Sequence, residues 1–281
     1  MTHVFEALGL ADVVLAEVPI VDKRWIARRL LQRHTQQSLF DNYEPLDQAV
    51  FEAYWDDLKR LAAGEPIGYI EGTVEFLDWT FKSDARALCP RQETEYLVSL
   101  LRQQISDGST IIDLGCGSGV IGLSLAAAFP NARVTLVDIS REALELTREN
   151  AAHMGVAERV HIHQSDWWRD IPNTETFDWI ISNPPYVARN DEVESGVRRF
   201  EPALALDSGE DGTDDLFAIL QQLDRRLAPG GQAWFELGHN HANQLNETLK
   251  QIFDVSWHPD PWGVVRYLQI QKGSSHSWPN S

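Results

Sequence analysis

Cysteine is nearly missing from this sequence: the 281 residues hold two, Cys89 and Cys116. Two cannot build a disulfide framework or a four-cysteine metal site. Also missing is any run of about 18 apolar residues, so no membrane-spanning helix is expected. The first residues, MTHVFEALGLADVV, lack a basic segment and carry Glu6 and Asp12, which is unlike a signal peptide. Positive charge is scarce: 24 Lys and Arg stand against 42 Asp and Glu, a formal net of -18. A chain whose task is gripping nucleic-acid phosphates shows the opposite balance or a basic stripe. What is present is 43% hydrophobic, 10% aromatic and 23% charged, which excludes disordered and fibrous classes. A compact chain of this size hides roughly 70–75% of its unfolded surface. The expectation is a soluble, cytoplasmic monomer that meets no membrane and no nucleic acid directly.

Charge is also unevenly placed. Lys23, Arg24, Arg28, Arg29 and Arg33 lie round one expected helix and read as a solvated face. The stretch 191–215 carries nine acids against Arg198 and Arg199, a local net of -7. It is either a solvated loop or a surface for a basic partner.

The first 64 residues read as helices. VDKRWIARRLLQRH (21–34) sets Trp25, Ile26, Leu30 and Leu31 at helical spacing, and a further segment opens with Pro45 and closes at Gly64. Residues 66–90 change to β-formers (Ile67, Tyr69, Ile70, Phe76, Trp79, Phe81) punctuated by Gly68, Gly72 and Pro90, which suggests a hairpin linker. From residue 110, strands alternate with helices: strands TIIDL (110–114), RVTLVD (133–138), VHIH (160–163), FDWIIS (177–182) and QAWFEL (232–237). Helices are expected over 119–129, over 140–154 with Ser140 as N-cap, over 214–231 and over 241–252. Two last strands fall near 253–257 and 264–270. This order predicts an α/β fold: an open, largely parallel sheet covered on both faces. The expected domains are a helical 1–65, a hairpin linker 66–90, a catalytic domain 91–272 and a frayed tail 273–281.

Asp113-Leu-Gly115-Cys116-Gly117-Ser118-Gly119 follows the first of these strands and opens a helix. Glycines there let backbone approach a ligand, and the helix start offers free N–H groups. Gly117 to Gly122 also satisfies the dinucleotide pattern G-x-G-x-x-G. Asp113 would repel a pyrophosphate but suits a cation, and Asp138, ending the next strand, can accept both hydroxyls of a ribose. A nucleoside with positive charge and no phosphate fits both, which favours S-adenosylmethionine over a nicotinamide cofactor.

Ser182-Asn183-Pro184-Pro185-Tyr186 stands at the carboxyl end of the fourth strand, where ligands bind in doubly wound sheets. Paired prolines stiffen the loop. The Asn183 oxygen and the Pro184 carbonyl can accept the two N–H bonds of a planar –NH₂ group, and Tyr186 can stack on its plane. This is chemistry for aligning an amide or exocyclic amine with an activated methyl group.

With these motifs the chain resembles the HemK/PrmC family, which methylates the glutamine of the Gly-Gly-Gln motif in class 1 peptide chain release factors. The resemblance covers nearly all of 20–270 and rests on GEPIGYIEG (64–72), PRQETE (90–95), DLGCGSG (113–119), VDIS (137–140), SDWW (165–168), SNPPYV (182–187) and VRRFEPALAL (197–206). It implies a Rossmann-like class I S-adenosylmethionine-dependent methyltransferase sheet with a small helical N-terminal substrate-docking domain and a β-hairpin linker. It implies that Asp113, Gly115, Cys116, Gly117, Ser118, Gly119, Asp138, Asp166, Trp167 and Asn183 line the cofactor, with Trp167 against the adenine. Asn183, Pro184 and Tyr186 would hold the reacting amide, with Pro185, Arg91 and Glu93 beside the substrate. The product would be S-adenosylhomocysteine. Gln92 departs from the family's second proline, and Cys89 from a usual aliphatic residue.

Other readings remain: a glutamine methyltransferase for a ribosomal protein, an adenine-N6 nucleic-acid methyltransferase, or a non-catalytic docking module that only binds the cofactor. No metal is expected. His161 with His163, and His239 with His241, lack a third ligand placed with them. Cys116 reads as a packing residue rather than a reactive thiol, and Gly230-Gly231-Gln232 as the turn into a strand.

Overall fold

The computed structural model describes residues 2–18, 20, 22–35, 45–191 and 195–272. In chain order the helices α1 (Val4–Val14), α2 (Lys23–His34), α3 (Gln48–Ala62) and α4 (Ile67–Glu71) come first. A hairpin follows, β1 (Thr73–Phe76) and β2 (Trp79–Lys82). Next come α5 (Gln92–Arg102), β3 (Thr110–Leu114), α6 (Val120–Ala128), β4 (Arg133–Asp138), α7 (Arg141–His153), β5 (Val160–Gln164) and β6 (Phe177–Ser182). The chain ends with α8 (Ser195–Phe200), α9 (Asp214–Leu220), α10 (Leu223–Arg226), β7 (Leu227–Glu236), α11 (His241–Lys250), β8 (Asp254–Pro259) and β9 (Val265–Gln271). The tail 273–281 and the acids Glu192 and Glu194 lie outside the described residues. No helix among the described residues is long and apolar enough to cross a membrane.

Two compact units form, the described parts of Met1–Gly72 with Glu194–Phe200, and of Thr73–Val193 with Glu201–Ser281. The first is helical. Val4, Ala7 and Ala11 of α1, Ala27, Leu30 and Leu31 of α2, and Tyr54 and Leu58 of α3 are its core, all fully buried. Trp25 was expected on that face but is 54% exposed, with the Arg29 guanidinium 5.3 Å over its ring. The basic face of α2 is largely paired within the unit: Arg24 with Asp12, Arg29 with Glu71, Arg33 with Asp57. Ile67–Glu71, read as strand-like, is helical because Pro66 starts it, Gly72 ends it at φ 75°, and Ile70 enters the apolar core.

The second unit is built on a seven-stranded sheet in the order β5-β4-β3-β6-β7-β9-β8. β3 pairs in parallel with β4 and β6, β4 with β5, and β6 with β7, while β9 runs antiparallel to β7 and β8. Neighbouring residues on a strand face opposite ways, so β3 sends Ile111 to one apolar layer and Ile112 to the other. α5, α6 and α7 cover the first layer, and α9, α10 and α11 the second. Both faces being covered explains the unbroken apolar runs of the central strands.

Most expected elements fall within two residues of their places, and Ser140 caps α7 by accepting from the Ala143 N–H. Two do not. The sequence suggests no element over 91–109, where α5 forms with Glu93 and Glu95 in its first turn. The expected helix 214–231 ends at Arg226, whose buried guanidinium donates to the Pro172 and Ile171 carbonyls; β7 starts at Leu227 and passes through Gly230-Gly231-Gln232.

Candidate active site

The strand order reverses between β3 and β6, and the carboxyl ends of β3, β4, β5 and β6 open onto one cavity. That is where ligands enter such sheets. Gly115, Cys116, Gly117 and Ser118 form its floor, and Asp138, Asp166, Trp167, Asn183, Pro185 and Arg91 stand round it.

The loop after β3 is held from both sides. Gly115, Gly117 and Gly119 have φ of 70°, 56° and 87°, a region that side chains avoid. The Gly115 and Cys116 N–H groups donate to the Val137 carbonyl. From α7, the Thr147 hydroxyl donates to the Gly117 carbonyl, and Asn150 Nδ2 to the Ser118 carbonyl. Neither α7 side chain was anticipated from the sequence; both are fully buried polar groups, which the structure shows to be the loop's anchors. A Cβ on Gly115 would lie 3.3 Å from the Trp167 ring, so that ring covers the loop at close range. Trp167 itself has φ 48°, an uncommon state for a bulky residue, held by the Ser165 hydroxyl on its carbonyl and by its indole N–H on Asp215.

Asp138 ends β4. One carboxylate oxygen accepts from the Gly117 N–H at 2.8 Å and the other from the Ser140 N–H at 2.9 Å. Burial raises its pKa, and those two N–H groups hold it back. Each oxygen keeps a lone pair for a further donor. Four carboxylates line the cavity (Asp138, Asp166, Asp207, Asp215) against Arg86 and Arg91. Both arginines are already engaged, Arg86 with Asp84 and Glu149, Arg91 with Glu201. An acid-rich wall with its cations spoken for suits a cationic ligand and opposes a pyrophosphate.

Asp113 stands elsewhere. It is fully buried behind the loop, where one oxygen accepts from the Gly122 N–H in the first turn of α6, and it is not on the cavity wall. Burial pushes its pKa up to about 7. It therefore pins loop to helix, and the field in the cavity comes from the other carboxylates. Gly119, Pro184, Tyr186 and Glu93 do not line the cavity themselves, but each is the chain neighbour of a residue that does. Burial pushes the Cys116 thiol well up and it faces the Thr147 hydroxyl, which is packing rather than reactivity. His241 is turned to the Gly238 and Gly212 carbonyls.

Asn183 follows β6. Its Nδ2 donates to the Thr94 hydroxyl of α5 at 3.2 Å, so Oδ1 is left as the acceptor. Tyr186 meets the His241 ring edge-on at 6.1 Å, and burial lifts its phenol to about 12. The segments singled out in the sequence prove to be one another's partners. Glu201, 5% exposed, accepts from the Arg91 guanidinium and from the Cys89 N–H. Val187 exchanges backbone bonds with Leu206 and Ser208, stitching the strand-six loop to 203–208. Glu201 and Asp215 thus belong to the site, not to a solvated acidic surface.

Comparison with known proteins identifies the family. The Methyltransferase small domain matches residues 91–204, and the PrmC N-terminal domain matches residues 6–72. A Bordetella pertussis protein named release factor glutamine methyltransferase is 36% identical over 255 residues, 89% of this chain and 93% of that one. This chain belongs to the release factor glutamine methyltransferase family. A Rhodopirellula baltica member is also 36% identical, over 86% of this chain and 84% of its own. In fold the chain is similar to a methyltransferase from Pyrococcus furiosus, with a TM-score of 0.52 and 22% identity, over 69% of this chain and 88% of that one. The protein is therefore a methyltransferase with the class I sheet.

Within this methyltransferase, Gln92 is the first residue of α5, and Arg91 before it is extended at φ -107° and ψ 154°. Proline is favoured at a first helical position and needs an extended residue before it. Gln92→Pro is expected to raise stability by about 0.4–1 kcal/mol by restricting the unfolded chain. A urea midpoint that rises at unchanged slope checks this, and a lowered one contradicts it.

Proposed function

We propose that this protein transfers a methyl group from S-adenosylmethionine to the side-chain amide nitrogen of the glutamine in the Gly-Gly-Gln motif of class 1 peptide chain release factors. The observation that carries the reading is the Asn183 amide, fixed by Thr94 with its acceptor uncommitted, at the mouth of an acid-walled cavity. S-Adenosylmethionine would supply an electrophilic methyl on a sulfonium. Asp138 would accept the ribose hydroxyls, Trp167 would pack on the adenine beside Asp166, and Gly115 to Gly119 would wrap the chain of the cofactor. The lining carboxylates would offset the sulfonium charge, and the fit of residues to ligand rests on that donor set. Asn183 Oδ1 and the Pro184 carbonyl would each accept one N–H of the glutamine amide, with Tyr186 and Pro185 shaping its slot and Arg91 and Glu93 supporting that rim. Aligning a weak nucleophile in this way can contribute on the order of 7–11 kcal/mol. The reading gives the helical unit the docking of the factor and treats the enzyme as a monomer.

The test incubates the protein with radiolabelled S-adenosylmethionine and one of three acceptors: a class 1 release factor, its Gln→Ala variant in Gly-Gly-Gln, or single-stranded DNA. Label on the wild-type factor alone is expected. Label on the DNA alone would contradict the reading, and label on the Gln→Ala factor would move the target residue.

A further inference from the structure

Glu236 is the last residue of β7, and the register places it beside Asn183, because Phe235 pairs with Ser182. It is 2% exposed, and its Oε2 has no hydrogen-bond partner among the described residues. The Thr94 hydroxyl stands within reach of the carboxylate and holds its pKa down. A buried carboxylate with an unpartnered oxygen is costly, and an apolar residue of similar volume would be cheaper to bury. Its presence asks for a role outside stability.

The place of Thr94, between Glu236 and Asn183, supplies one. The Thr94 hydroxyl has a single proton, and the unsatisfied Glu236 carboxylate is the acceptor in its reach, which leaves the Thr94 oxygen to accept. The group that donates to it is Asn183 Nδ2. An asparagine amide can otherwise turn over and exchange its O and N. Turned over, it would present N–H groups to the N–H groups of a substrate amide, donor against donor. Resting on the methyl-transfer reading above, we propose that Glu236 and Thr94 are positioning residues that lock Asn183 with Oδ1 toward the substrate, and that the charge state of Glu236 sets whether the lock holds.

Several charged groups face Glu236. Burial pushes it up to about 7, Glu93 of α5 adds to the rise, and Arg266 of β9 and Arg91 pull it down. Tyr186 after β6 and Tyr267 on β9 also feel its charge, and Asp260 lies by Arg266 and Tyr267. Above that value the carboxylate accepts from Thr94. Below it the carboxyl carries a proton of its own, which competes with Asn183 for the Thr94 oxygen. Loss of the lock therefore comes as pH falls.

The experiment uses the full chain. ¹⁵N NMR of the Asn183 side-chain –NH₂ in the free protein is expected to shift with a midpoint near pH 7, and to stay flat in Glu236→Gln and Thr94→Val. In label transfer to the release factor, Thr94→Val is expected to lose roughly 10- to 100-fold in kcat, since a small misplacement can cost about that much. Thr94→Ser, which keeps the hydroxyl, restores most of it. Affinity for S-adenosylhomocysteine stays within about twofold throughout, the split that transition-state positioning produces. Glu236→Gln is expected to lower kcat and to abolish its acidic limb. A flat Asn183 signal in the wild type, or Thr94→Val matching the wild type in kcat, overturns the lock. Failure of the wild type to label any release factor overturns the proposed function, and the NMR titration still decides the lock.

Discussion

Asn183→Ala is expected to lower kcat by roughly 10²–10³-fold, the scale on which removal of one preorganised polar group at a reacting centre acts. Binding of S-adenosylhomocysteine should change by less than about twofold. The separation follows from geometry. Asn183 holds nothing of the glycine loop or of Asp138; among the described residues its side chain bonds to Thr94, and its acceptor is uncommitted. Removing it costs the alignment of the substrate amide and leaves the cofactor's acids and glycines in place. Steady-state label transfer together with calorimetric titration of S-adenosylhomocysteine measures both. An equal loss of cofactor affinity would sink this division of labour.

Asp138→Ala should show the reverse pattern. The carboxylate that would take two ribose hydroxyls disappears, and each hydrogen bond to a charged group is worth about 1.5–3 kcal/mol. The variant also releases the Gly117 and Ser140 N–H groups that shape the loop. Affinity for S-adenosylhomocysteine is expected to fall roughly 100-fold or more, while kcat at saturating cofactor falls far less. Asp138→Asn keeps one acceptor and should fall between. Circular dichroism must show the fold retained; with it retained, unchanged affinity would remove Asp138 from the cofactor site.

Much of this site is legible in one dimension because its parts are local. The three loop glycines take left-handed backbone that glycine alone tolerates cheaply, so their spacing reads directly as a turn. Ser140 caps the helix that follows it by accepting from an N–H three residues on, and the apolar runs of β3, β4 and β6 follow from burial on both faces. Pairings across long stretches of chain are not legible in this way. Arg91 meets Glu201 across 110 positions and Asn183 meets Thr94 across 89, and no periodicity encodes either contact. The same blindness misplaces Asp113: the motif sets it at the loop entrance, but the pleat of β3 turns its side chain behind the loop, onto the Gly122 N–H. α5 escapes notice because PRQETE reads as a motif, and its helical start shows only once Arg91 is seen extended before it. Trp167 at φ 48° has no sequence signal at all; the bonds to Ser165 and Asp215 that hold it are tertiary.

The central claim concerns one nitrogen atom, and site-resolved mass spectrometry addresses it directly. A class 1 release factor is incubated with the wild-type protein and S-adenosylmethionine, digested, and the Gly-Gly-Gln peptide fragmented. A single added methyl on the glutamine side chain, present with wild type and absent with Asn183→Ala, is the predicted result. A methyl on any other residue, or an unmodified glutamine in a factor that has taken up label, would contradict the account.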